Sequence, residues 1–126
     1  MTRRLLTNVV VALFLGATLG AVQSNSPLAD AAMRGDKDAV KKLIKDGADI
    51  GVGQGDGMTA LHWAAEHGDA DMAQQLIYAG ANVAAVTRIG LYTPLHLAAK
   101  SGNPELVKAL IAGGADVNVK IGRAHV

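Results

Sequence analysis

The chain of 126 residues contains no cysteine. Disulfides, thiolate metal sites and a cysteine nucleophile are therefore excluded. Aromatic residues are scarce, with one Trp, two Tyr and one Phe, so packing falls to Ala and Leu. Nor is there a charge excess of one sign. The formal net charge is +1, and between Asn25 and Lys120 nine basic and eleven acidic residues leave −2. No basic footprint for nucleic acid remains. Lys37, Lys41, Lys42 and Lys45 are interleaved with Asp36, Asp38 and Asp46, the pattern of a solvated helix face.

Catalytic and ligand motifs are missing too. His62 and His67 stand five apart, which puts them on different helix faces, and no His-Glu-x-x-His occurs. The alternating glycines Gly51, Gly53, Gly55 and Gly57 lack the Gly-x-Gly-x-x-Gly spacing, and no Lys-Ser or Lys-Thr follows them. Asp56 alone among them is too little for calcium, which needs several oxygen ligands. No nucleophile elbow surrounds Ser24, Ser26 or Ser101. The reading is of a non-enzyme with no cofactor and no metal.

What the chain does have is repetition. Gly35, Gly68 and Gly102 recur at offsets of 33 and 34 residues, and Gly47, Gly80 and Gly114 recur in the same register. Each of the latter is followed by Ala48-Asp49, Ala81-Asn82 or Ala115-Asp116. A fixed period of this length means stacked supersecondary units sharing one continuous core. Within each unit the spacing predicts two helices. Thr59 and Thr93 suit helix N-caps, Ser26 repeats the arrangement, and Pro94 fits the first helical position. The pairs Ala31-Ala32, Ala64-Ala65 and Ala98-Ala99 favour helix and close helix–helix approach. Gly35, Gly68 and Gly102 end the first helix, where a left-handed conformation is expected. Val40, Leu43 and Ile44 form the apolar stripe of the second helix in copy one. Met72, Leu76 and Ile77 do so in copy two, and Leu106, Val107, Leu110 and Ile111 in copy three. Copy three carries one extra residue, Gly57-Met58-Thr59 becoming Gly90-Leu91-Tyr92-Thr93.

The second copy reads Thr59-Ala60-Leu61-His62-Trp63-Ala64-Ala65-Glu66-His67-Gly68, and the third Thr93-Pro94-Leu95-His96-Leu97-Ala98-Ala99-Lys100-Ser101-Gly102. Both resemble the ankyrin repeat, with its Thr-Pro-Leu-His-x-Ala-Ala-x-x-Gly core and Gly-Ala-Asp-Val-Asn tail. The first copy, Ser26-Pro27-Leu28-Ala29-Asp30-Ala31-Ala32, keeps Pro, Leu and the Ala pair but lacks His. Asp30 there takes the slot of Trp63 and Leu97, as suits a solvated edge. The resemblance implies an all-α solenoid of three helix-turn-helix repeats, about 26–58, 59–92 and 93–120, with short hairpin fingers. It also implies that His62 and His96 bond to backbone and to Thr59 and Thr93, tying repeats together. Thr59, His62, Gly68, Thr93, Pro94, His96 and Gly102 are then structural motif residues.

The same resemblance implies a protein–protein interaction module that engages a partner through finger tips and the concave inner-helix face. The matching positions are Gln54, Asp56 and Met58 in one finger and Arg88, Ile89, Leu91 and Tyr92 in the next. On the inner helices they are Trp63, Glu66, His67, Lys100 and Ser101, although Trp63 equally suits packing between copies. The alternative reading is a docking arm of a longer exported enzyme.

Two terminal segments stand outside the repeats. Arg3-Arg4, an apolar run from Leu5 to Val22, and polar Gln23-Ser24-Asn25 have the layout of a signal peptide over residues 1–24. An uncleaved anchor through residues 5–22 is the other possibility. Either exports the repeats, to a bacterial periplasm, the exterior or a membrane surface. Ile121 to Val126 follows no repeat logic and matches one reading frame of a short-read sequencing adapter. It is read as a non-native or disordered tail, with the natural sequence expected to continue past about Lys120.

Overall fold

The computed structural model describes residues 25–118. The expectations for the leader (residues 1–24) and for the tail (residues 121–126) lie outside the described residues. Six helices follow in chain order: α1 Pro27–Met33, α2 Lys37–Lys45, α3 Ala60–Glu66, α4 Ala70–Tyr78, α5 Pro94–Ser101 and α6 Pro104–Ala112. Each repeat contributes an antiparallel pair, α1–α2, α3–α4 and α5–α6. First helices pack in one row, α1 on α3 and α3 on α5, and second helices form another, α2, α4, α6. Among the described residues there is no strand, and the hairpin fingers close by single backbone bonds instead of a ladder. No described helix is long and apolar enough to cross a membrane.

Local chemistry sets the helix boundaries. Thr59 and Thr93 lie in extended backbone and accept the amides of His62 and His96, while each imidazole reaches back to the amide of its Thr. That reciprocal arrangement satisfies two orphan donors with one pair of side chains. Ser26 departs from the expectation. It holds the N-cap position of α1, but its side chain makes no cap bond. Its ψ of 65° differs from the 172° and 166° of the two Thr caps, and Ala29 stands where the imidazole would answer. The second helices carry caps too. Asp36 accepts from the amide of Ala39, Asp69 from Met72, and Asn103 from Glu105 and Leu106. At the other ends, Gly35, Gly68 and Gly102 take φ of 71°, 68° and 74°, the left-handed turn that lets the chain reverse into the second helix.

The core runs along the whole array between the two rows. Leu28, Leu61, Met72, Leu76, Leu106 and Leu110 are fully buried, separated by Ala31, Ala32, Ala64, Ala65 and Ala98. Small side chains in the first-helix row let α1, α3 and α5 approach closely. Leu side chains from the second row fill the space behind, each contributing about 1.5–3 kcal/mol. Burial falls off at copy three. Ala32 and Ala65 are sealed, whereas the equivalent Ala99 is exposed, and Ile111 is 45 % exposed. The flank of copy three that corresponds to the covered flanks of copies one and two faces solvent among the described residues.

Candidate functional site

Two fingers project beside the first-helix row. The first spans residues 50–58 and closes by Gln54 N–H donating to Met58 O (2.9 Å). The second, residues 83–92, closes by the equivalent bond, Thr87 N–H to Tyr92 O (3.0 Å). The extra residue of copy three falls inside this loop. Leu91 absorbs it in a left-handed conformation, φ 54°, the sole non-glycine with positive φ among the described residues. Such a conformation is disfavoured for a branched side chain, so the neighbours must impose it. Buried Thr87 does part of this. Its hydroxyl donates to Ile89 O (2.8 Å) and accepts from Tyr92 N–H (3.0 Å). The Tyr92 ring lies over Gly90 and occupies the space a Cβ would need there.

This scaffold holds apolar side chains outward. Ile89 is 81 % exposed, with Val86, Leu91 and Tyr92 also exposed beside it. The second finger is anchored on the first, Arg88 N–H donating to Asp56 O (2.8 Å). It is anchored on repeat two through His62, whose Nε2 lies 3.0 Å from Tyr92 O. Because His62 Nδ1 accepts from Thr59 N–H (3.1 Å), the proton sits on Nε2 and is donated to Tyr92 O. Burial pushes the His62 imidazole below its ordinary value of 6.5, outweighing the Tyr92 and Ala85 carbonyls and the Asp56 carboxylate, which pull it up.

The first finger is tied differently. Trp63 Nε1–H donates to Gln54 Oε1 (2.8 Å), and Gln54 Nε2 donates to Asp30 Oδ1 (2.6 Å). The His67 ring stacks on Trp63 at 5.8 Å between centroids, and its Nε2 lies 3.0 Å from Met33 O. One network thus joins α1, α3 and the first finger. Of the two readings for Trp63, the structure shows the packing one: its half-buried body lies against the core, and its N–H is taken by Gln54 of the first finger. Asp30, expected at a solvated edge, is half-buried and part of this network.

The expected surface residues therefore separate into groups. Trp63, His67 and Gln54 are brought together. Arg88, Ile89, Leu91 and Tyr92 form the second finger tip. Asp56 is exposed and caps its own turn through Met58 N–H (2.9 Å). Met58 is half-buried against the core. Glu66, Lys100 and Ser101 are exposed on their helices, the Ser101 hydroxyl donating to Ala98 O (2.9 Å). Gly68, Pro94 and Gly102 sit at helix ends, and His96 repeats the Thr–His box of His62 on the outermost copy. Thr87 and the caps Asp36, Asp69 and Asn103 were not singled out from sequence, although an acid or amide directly after each helix-ending glycine is a signal that could have found the caps. Among the described residues no cluster of three His, Asp or Glu could hold a metal, and no buried side-chain polar atom lacks a partner.

Comparison with known proteins agrees with this architecture. The family description "Ankyrin repeats (3 copies)" matches residues 28–121. A protein of Oryza sativa subsp. japonica named probable E3 ubiquitin-protein ligase XBOS33 is 39 % identical over 80 residues, 64 % of this chain and 15 % of that protein. The chain thus spans a small part of that relative's length. Ankyrin arrays generally serve protein–protein interaction and are typically non-catalytic. With three copies matched over most of its length and three helix pairs stacked in register, the chain belongs to the ankyrin repeat family.

Proposed function

We propose that this chain is an exported scaffold that binds a partner protein through its finger tips and the concave first-helix face, with the second finger as the principal contact. The carrying observation is that finger: four exposed apolar side chains on a loop held by Thr87 and a left-handed Leu91. Contiguous exposed apolar surface marks interaction sites, and stored backbone strain clusters at functional loops. A preformed loop also binds with less ordering cost. The weak overall charge favours a protein over a nucleic acid as partner. Export rests on the layout of residues 1–24.

The test is quantitative capture from a periplasmic or secreted fraction with wild type and Ile89→Asp. Ile89 is mostly exposed, so the variant should melt within about 0.5 kcal/mol of wild type. Partners retained by wild type and lost by the variant support the proposal, and an identical catch refutes it. Export is tested separately by fractionation and N-terminal sequencing of the expressed chain. A mature start between residues 22 and 25 supports a cleaved leader, an intact membrane-bound chain supports the anchor, and a soluble cytosolic product refutes both.

A second reading is a docking arm of a longer exported enzyme. It is favoured by the rice relative, a much longer protein that bears an enzyme's name. A complete reading frame with catalytic motifs beyond the repeats would select it.

A further inference from the structure

The row of second helices, facing away from the fingers, carries a second feature. Tyr78, at the end of α4, is 91 % exposed. It borders two hollows. One, of about 400 Å³, lies between α2 and α4 and is lined by Lys41, Ile44, Lys45, Gln75, Tyr78 and Ala79. The other, of about 220 Å³, lies between α4 and α6, with Ile77, Tyr78 and Ala112 among its walls. The first exists because α2 touches α4 less than any other neighbouring helices touch. Their N-terminal ends are joined by Lys37 and Asp69 at 3.4 Å, and the residues that line the hollow come from their C-terminal halves.

The charge of the hollow is specific. Lys41, Ile44 and Lys45 share one face of α2 at spacings of three and four. Of the four lysines on that helix, Lys37 pairs with Asp69 and Lys42 with Asp46 at 2.7 Å. Lys41 and Lys45, the two at the hollow, have no ion-pair partner among the described residues. An apolar trough of Ile44, Ala79 and Tyr78 is thus flanked by two lysines that make no ion pair among the described residues. Across Tyr78 the second hollow has no charged wall.

We propose that this face is a second docking site, separate from the fingers, and that it takes a short linear segment of a partner protein. That segment carries an acidic side chain beside an aliphatic or aromatic one. The carboxylate pairs with Lys41 and Lys45, and the apolar side chain lies along Ile44 against the Tyr78 ring. The remainder crosses Tyr78 into the uncharged hollow. Tyr is a favoured anchor residue at interfaces. Two cations bordering an apolar trough discriminate against basic segments as well as attracting acidic ones.

The test selects a random twelve-residue phage-displayed peptide library on the 126-residue chain. Selected peptides are then titrated against wild type, Ile89→Asp, Tyr78→Ser and the double variant Lys41→Gln/Lys45→Gln. Thermal melts of each variant verify folding. The expected result is a class of peptides with Asp or Glu next to an apolar residue. Their affinity falls about tenfold or more on Tyr78→Ser and on the double lysine variant, is unchanged by Ile89→Asp, and weakens with added salt. Should a variant melt low, chemical-shift changes on wild type confined to α2, α4 and α6, with the fingers unshifted, give the same answer. Three results overturn the proposal: no peptide class sensitive to Tyr78, a Tyr78-dependent class without acidic residues, or Tyr78-dependent co-sedimentation with anionic phosphatidylserine vesicles in the absence of any such peptide class. Because the finger variant is carried in parallel, failure here is distinguishable from failure of the finger as a binding surface.

Discussion

Three glycines separate backbone conformation from close packing, and replacing each with Ala weighs the two effects against each other. Gly55 has no left-handed φ, and a Cβ there meets nothing within 4 Å. Ala at this position restricts the unfolded chain and should be neutral or stabilise by up to about 1 kcal/mol. Gly35 has φ +71° and is equally open, so its Ala variant pays only the left-handed penalty, about 1 kcal/mol. Gly57 has φ +85°, and a Cβ there would sit 3.0 Å from Arg88 N and 3.2 Å from Thr87 Cα. Those are backbone atoms of the second finger, which cannot rotate away. Relief requires moving the finger and stretching the Arg88 N–H bond to Asp56 O, adding about 1 kcal/mol or more. Gly57→Ala should therefore destabilise by about 2–3 kcal/mol. Urea unfolding followed by far-UV circular dichroism and by the single Trp63 gives all three values on one scale. A Gly57→Ala cost no larger than that of Gly35→Ala would refute the packing of one finger against the other.

The buried imidazole gives a pH dependence whose sign is fixed. His62 is held below its ordinary 6.5 in the folded chain, so between the folded value and 6.5 the unfolded chain binds more protons. Stability is then full above about 6.5 and declines as pH falls toward the folded value. Wild type should lose more melting temperature than His62→Gln between pH 7.5 and pH 5.5, and equal losses would contradict the assignment. Gln54→Ala removes the acceptor of the Trp63 N–H. It should cost about 1 kcal/mol and shift Trp63 emission, whereas an unchanged spectrum and melt would deny that the first finger is fixed to α3. Leu76 is fully buried between the rows, so Leu76→Ala should cost about 2–5 kcal/mol in the same melts.

The helix pairs are legible in the sequence because glycine and small-residue punctuation recurs in register, and each recurrence reports the same backbone requirement. Thr59 and Thr93 are legible as caps from their place at the head of each helix, whereas their pairing with His62 and His96 is legible only through the resemblance to the ankyrin repeat. Other features depend on contacts distant in sequence. Nothing around Asp30 announces that Gln54 would reach it from a loop 24 residues away. Leu91 gives no local sign of its left-handed backbone, since Leu rarely adopts it, and the inserted residue could have been absorbed elsewhere in the loop. The outer lysines read as a solvated face, and two of the four do pair with acids. Which two remain uncompensated depends on where α2 meets α4. The difference between His62, fully buried, and His96, half-buried, follows from position in the row, since only His62 has a following copy among the described residues.

Amide hydrogen exchange in the second finger, measured residue by residue on the unliganded chain, tests most directly whether a repeat array has been turned into a preformed binding surface. The account predicts that the amides of Thr87, Arg88 and Tyr92, donors to Tyr92 O, Asp56 O and the Thr87 hydroxyl, exchange at least tenfold more slowly than that of exposed Ile89. Exchange of all four at unstructured-peptide rates, with the helices still protected, would contradict it.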